Sequence, residues 1–130
     1  MIVVDSSALL AILLDEPDAR SFADAISSSE DCTISSFNFF ETQVVIHRNS
    51  REDGVRDLMT LLSQGRLTIA PFDEAQAALA FEAYRRYGKG YHSARLNLGD
   101  CAAYALARNL DAPLLFKGND FSQTDIRRVL

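Results

Sequence analysis

Four carboxylates in this chain stand where a charge needs a reason. Asp5 directly follows the β-branched run Ile2-Val3-Val4, and a charge at the carboxyl end of a buried strand is costly unless it faces a cleft and meets a cation. Asp120 follows the apolar run Pro113-Leu114-Leu115-Phe116 by a few residues, whereas Glu41 and Asp100 fall in the first turns of two predicted helices. Core residues border both: Phe39, Phe40 and Val44 beside Glu41, and Leu98, Cys101 and Ala102 beside Asp100. A parallel sheet can bring these four separated segments to one edge. Carboxylates gathered there repel one another and take up protons unless a hard divalent ion neutralises them, so the set points to Mg²⁺, with Mn²⁺ as the alternative. The chemistry such an all-oxygen site supports is phosphoryl or phosphodiester displacement. No Cys or His spacing supports zinc. Taken singly, each acid also has a plain structural use, because first-turn carboxylates complement the helix dipole and Asp5 can act as an N-cap.

Positioning these groups requires alternating strands and helices, and the hydrophobic period alternates accordingly. Ile2–Val4 reads as a buried strand, followed by a helix over Ala8–Leu14 capped by Ser6 or Ser7. Pro17 and Asp18 open a second helix with Ala19, Phe22, Ala23 and Ile26 on one face. Cys32–Ser35 is a short strand, and Ser35 or Ser36 caps a helix whose stripe runs Phe37, Phe40, Val44, His47. Val55, Leu58, Leu61 and Leu62 repeat the helical period. Leu67–Ala70 reads as a strand, and Ala77, Ala80, Phe81 and Tyr84 as a helix. Asn97 caps the last helix, with Leu98, Cys101, Ala102, Ala105 and Leu106 on its buried side, before the strand Pro113–Phe116. Such alternation predicts an α/β fold with a mostly parallel sheet, whose ligands bind beyond the carboxyl ends of the strands.

Composition narrows the class. With 130 residues, 48% of them apolar and 24% charged, the chain matches one folded domain over 1–130, against about 150 residues for an average domain. The longest uncharged apolar run, Ala8–Leu14, is far short of the roughly 20 residues of a membrane span, so no membrane association is expected. The opening Met-Ile-Val-Val-Asp lacks a basic flank and there are two cysteines, Cys32 and Cys101, which together suggest a cytoplasmic protein. A net charge of −5 argues against coating nucleic acid through bulk positive charge while leaving room for a local basic patch.

The segment Ile2-Val3-Val4-Asp5-Ser6-Ser7-Ala8-Leu9-Leu10-Ala11 resembles the opening of PIN-domain ribonucleases, and in particular the VapC toxins of type II toxin–antitoxin pairs. Ser35-Ser36 through Glu41-Thr42 resembles the second acidic motif of that family, Asn97-Leu98-Gly99-Asp100-Cys101 the third, and Pro113 through Phe121 the closing segment. The resemblance covers nearly the whole chain, with four motifs in order. It implies a three-layer α/β/α fold around a sheet of about 4–5 strands and a Mg²⁺-dependent endoribonuclease. Asp5, Glu41 and Asp100 then become metal-binding catalytic acids and Asp120 the more variable fourth, with Asp125 as its competitor. Ser7 takes the place of a hydroxyl that helps hold the site. A VapB-like antitoxin and a second copy of the chain are the partners implied, with RNA as substrate.

Arg85-Arg86-Tyr87-Gly88-Lys89-Gly90-Tyr91-His92-Ser93-Ala94-Arg95 is the one basic island, four fixed positive charges without an acid. Arg85, Arg86, Lys89, His92 and Arg95 are candidate RNA contacts; the alternative is a solvated helix end and Gly-hinged loop. Gly88-Lys89-Gly90 lacks the Walker A pattern, no nucleophile elbow surrounds any serine, Cys101 reads as buried, and His47 as a core or groove histidine. Phe37, Phe39 and Phe40 point to packing or to a subunit interface. Two other functions compete: a phosphoacceptor receiver-like signalling domain, with Lys117 as the lysine after the last strand, and a noncatalytic binding module. The receiver reading calls for an acidic pair at the first strand, where this chain has Asp5 alone.

Overall fold

The computed structural model describes residues 1–130. Strand β1 (Ile2–Val4) sets the architecture through its period-two alternation. Val3 packs with Leu96, Tyr104, Leu114 and Phe116 in one core, while Ile2 and Val4 join Leu9, Ile34, Ile46 and Leu58 in the other. A strand buried on both faces demands helices on both faces, which yields the three α/β/α layers. Helices α1 (Ser6–Leu13), α2 (Ala19–Ser27) and α3 (Ser36–Gln64) cover one side. Helices α4 (Glu74–Tyr87) and α5 (Leu98–Leu110) cover the other.

The remaining strands are β2 (Cys32–Ser35), β3 (Leu67–Ala70) and β4 (Leu114–Leu115), and the sheet order is β3-β2-β1-β4. All pairings are parallel, with Ile2 opposite Cys32 and Val3 opposite Leu114. The chain builds outward from β1 through β2 to β3 and then crosses to the far side of β1 for β4. That reversal opens a crevice beyond the carboxyl ends of β1 and β4, the usual ligand position in open parallel sheets. The same order departs from the 2-1-3-4-5 arrangement of receiver-like folds. The β4 edge is covered by the C-terminal segment, Leu114 N donating to Arg127 O at 2.9 Å and Val129 N to Leu114 O at 3.1 Å.

Two local expectations are corrected. The stripes Phe37–His47 and Val55–Leu62 belong to one helix, α3, kinked at Arg51, whose φ of 55° and ψ of −141° break the helical path. Leu98, expected on the buried side of α5, is 69% exposed because it occupies the first helical position, ahead of the buried run that begins at Gly99. Of the two places expected for His47, core or groove, it takes the groove, on an open face of α3 beside Phe40, Val44 and Val55, with its imidazole 3.3 Å from Glu52. No helix is long and apolar enough to cross a membrane.

Candidate active site

Asp5 combines its two readings. As the N-cap of α1, its Oδ2 accepts from Ser7 N at 3.1 Å and from the Ser7 hydroxyl at 2.5 Å. Ser7 Oγ in turn accepts from the backbone amide of Lys117 at 2.9 Å, tying the end of β1 to the segment leaving β4. The other oxygen, Oδ1, is buried and has no hydrogen-bond partner. One oxygen therefore caps the helix while the other is left with the full cost of desolvation, which a cation would relieve. Burial pushes the Asp5 carboxyl up to about 6; the Ser7 hydrogen bonds oppose this and the nearby Glu41 charge adds to it.

Glu41 is placed by three elements. Ser6 Oγ of α1 donates to its Oε1 at 2.6 Å. Asn38, one turn earlier on α3 and fully buried, brings Nδ2 to 3.4 Å from the same oxygen and donates to Gly99 O at 2.9 Å. Gly99 completes the cradle, because a Cβ there would lie 2.7 Å from Glu41 Oε1 and closer still to Oε2. A side chain at this position would have to push the Glu41 carboxylate aside.

Asp100 also plays a helix role and a site role. It forms a capping box with Asn97, its Oδ2 accepting from Asn97 N at 3.0 Å while Asn97 Oδ1 accepts from Asp100 N at 2.8 Å. Burial raises its carboxyl to about 7 against the pull of the Asn97 hydrogen bond, with Asp5, Asp120 and Glu41 adding like-charge repulsion in that order. Asp120 is exposed and shares a cavity of about 500 Å³ with Asp100. Asp125 lies elsewhere in function: Tyr104 OH donates to its Oδ1 at 2.6 Å, and Arg86 and Arg108 lie 3.8 and 3.7 Å from Oδ2. Partial burial would raise its carboxyl, but these partners prevail and hold it below the usual range.

Asp5, Glu41 and Asp120 thus lie near enough to Asp100 for their charges to be felt there. No three of these four acids stand close enough together to grip one ion. The partnerless Asp5 Oδ1, the raised Asp5 and Asp100 carboxyls and the all-oxygen donor set fit a hard divalent cation.

The basic island divides. Arg85 pairs with Glu82 and stacks 5.0 Å from the Phe81 ring, and Arg86 engages the Tyr87 hydroxyl at 2.9 Å as well as Asp125. Lys89 and Arg95 instead line the cavity that holds Asp100 and Asp120. His92 Nδ1 accepts from Ala94 N at 3.0 Å, bracing the loop. Lys117 spends its charge on Glu16 and on Asp18, 3.0 Å away.

Ser6, Asn38 and Gly99 are the residues that motif reading passed over. Their spacing to Glu41 was visible only for Asn38, at i−3 on one helix. We expect Gly99→Ala to force the Glu41 carboxylate aside and lower divalent-ion affinity about 10–100-fold, the usual cost of disturbing groups that orient a ligand. Alanine is a better helix former than glycine by up to about 1 kcal/mol, so the thermal midpoint should hold. Calorimetric Mn²⁺ titration beside a thermal melt checks both; unchanged affinity would show that the cradle is not needed.

The PIN domain family model matches residues 2–127. The chain is 46% identical over 127 residues to Ribonuclease VapC of Mycolicibacterium smegmatis, covering 98% of each chain. It is 44% identical over 127 residues to Ribonuclease VapC30 of Mycobacterium tuberculosis, covering 98% of this chain and 97% of that one. The crystal structure of M. tuberculosis VapC20, described as a Sarcin-Ricin loop cleaving toxin, superposes with a TM-score of 0.80 at 15% identity over 97% of this chain and 96% of that one, a likeness of fold. Four acids at the carboxyl edge of a β3-β2-β1-β4 sheet, in a chain matched end to end by these relatives, mean that this protein belongs to the PIN-domain family, among the VapC ribonucleases.

Proposed function

We propose that the protein is a Mg²⁺- or Mn²⁺-dependent endoribonuclease, the toxin of a VapBC-type module, which hydrolyses RNA phosphodiester bonds at the Asp5–Asp100 edge. The observation that carries this reading is the buried, partnerless Oδ1 of Asp5 beside like-charged Glu41 and Asp100. Asp5, Glu41, Asp100 and Asp120 would hold the ion, which when bound supplies activation of water and neutralises charge on the phosphate. Ser7 and Ser6 orient Asp5 and Glu41 through their hydroxyls, and the Asn97 amide fixes Asp100. Once ionised, the buried Asp5 and Asp100 carboxylates present negative charge in a setting of low polarisability, where its effect on a nearby cation is strengthened.

A VapB-type antitoxin and a second copy of the chain are the protein partners in this reading. Exposed Phe40 and Leu98 flank an apolar groove of about 430 Å³ beside Glu41, which supports burial against another subunit. Leu98→Glu should shift the dimer to monomer in light scattering; an unchanged mass would place the interface elsewhere.

The test is cleavage of single-stranded RNA by purified protein. Cleavage should stop with EDTA, return with Mg²⁺ or Mn²⁺, and be absent in Asp5→Asn. Cleavage that survives chelation contradicts the metal assignment, and RNA binding with no cleavage under any divalent ion favours the noncatalytic module.

A further inference from the structure

The cavity of about 500 Å³ that contains Asp100 and Asp120 has a second wall that the proposed hydrolysis does not use. One side is the loop from Gly88 to Leu96 and the other is the segment from Asn119 to Gln123. The loop is firmly built: Lys89 N donates to Leu96 O at 3.0 Å, Leu96 N to Tyr87 O at 2.9 Å, and Tyr84 OH to Lys89 O at 3.1 Å. The opposite segment is anchored by buried Phe121, whose ring lies 4.9 Å from that of Phe116. Ser93 Oγ donates to Gln123 Oε1 and bridges the two sides.

What this wall offers is uncommitted. Lys89 and Arg95 make no ion pair, although two carboxylates share their cavity. The other candidate cations are engaged, Arg85 with Glu82, Arg86 with Asp125 and Lys117 with Glu16 and Asp18. The Asn119 carboxamide has no hydrogen-bond partner, and Gln123 keeps its Nε2 free while Oε1 is held by Ser93. A carboxamide presents a donor and an acceptor side by side, the complement of a nucleobase edge, and cations offer contacts to the flanking phosphates. The volume falls within the roughly 300–1,000 Å³ of small-molecule sites and suits one nucleotide.

We propose that this wall is a subsite for one unpaired nucleotide next to the scissile phosphate, in which Asn119 and Gln123 select the base while Lys89 and Arg95 hold the backbone. The inference rests on the ribonuclease reading and deepens it by assigning sequence preference. Bases in a duplex keep their Watson–Crick edges paired, so the subsite admits single-stranded loops and ends.

The experiment uses the full protein on a random-sequence single-stranded RNA pool, with the cut ends sequenced. The parent should show a base preference at one position beside the cut. Asn119→Ala combined with Gln123→Ala should reduce that preference about 5–150-fold, the range of one lost bidentate contact at about 1–3 kcal/mol. Lys89→Gln with Arg95→Gln should weaken RNA binding alike for all sequences and flatten its salt dependence by about 0.7 in log–log slope per lost contact. Retention of the parent's preference in the double alanine variant overturns the proposal. If the parent cuts no RNA, the ribonuclease reading fails by itself, and the subsite is then judged by sequences retained from the same pool in Ca²⁺. A base bias lost in the double alanine variant supports it, and a pool retained without bias overturns it. The four side chains are on the surface, and matching thermal melts confirm that the variants fold.

Discussion

Asp100→Asn should abolish RNA cleavage and, in the metal-free protein at pH 8, should raise the thermal midpoint by a few degrees. Both results follow from one geometry. Asp100 is buried among Asp5, Asp120 and Glu41, and its carboxyl is pushed up to about 7, so at pH 8 the folded protein pays to keep it ionised. An asparagine oxygen still accepts the 3.0 Å hydrogen bond from Asn97 N, so the capping box survives while the charge goes. The relief is on the order of 1–3 kcal/mol, after discount for water in the cleft, and 1 kcal/mol corresponds to about 4 °C in a domain of this size. The lost charge also removes an oxygen ligand with full negative charge, and activity should fall at least about 1,000-fold, the equivalent of about 4 kcal/mol in the barrier. Parallel melts and cleavage assays check the pair. A variant that loses activity and stability together would indicate a structural acid instead.

The second large effect is an exchange between protons and metal. The Asp5 and Asp100 carboxyls are pushed up to about 6 and about 7 when folded, against 3.8 for a free aspartate carboxyl. Between these values the folded protein binds more protons than the unfolded chain, so their contribution to stability falls as pH rises through the window and is fully lost above about 7. The two groups interact and titrate as a pair. A divalent ion binds the ionised pair and displaces those protons, so its stabilisation should be small at pH 5 and large at pH 8. At 100 times Kd the gain is about 2.7 kcal/mol. The midpoint shift caused by 10 mM Mg²⁺ at the two pH values measures this, with Asp100→Asn as the control that flattens the difference. Equal shifts at pH 5 and pH 8 would show that the ion does not compete for these carboxyls.

Much of this site was legible in the sequence because its acids are punctuation marks between periodic segments. Ile2-Val3-Val4 ends at Asp5 and the structure places β1 there, and Leu67–Ala70 is β3 with the same bounds. Asn97, read as a helix cap, makes the capping box that presents Asp100. Other features depend on approach through space. Gly99 matters because Glu41 arrives from 58 positions earlier, and Asn38 because it bonds Gly99 O across 61. The basic island looked uniform, but Arg86 is claimed by Asp125, remote in sequence, leaving Lys89 and Arg95 for the cleft. The kink at Arg51 had no sign, since an arginine with φ of 55° carries neither the glycine nor the proline that marks such a turn.

In the proposed site these four acids would hold a divalent ion at the carboxyl ends of β1 and β4. Anomalous diffraction from crystals grown with Mn²⁺ tests it most directly. A manganese peak is expected about 2.1 Å from Asp5 Oδ1, with Asp100 and Glu41 reaching it directly or through water. A manganese peak away from Asp5, or none at this crevice at saturating Mn²⁺ and pH 8, would contradict it.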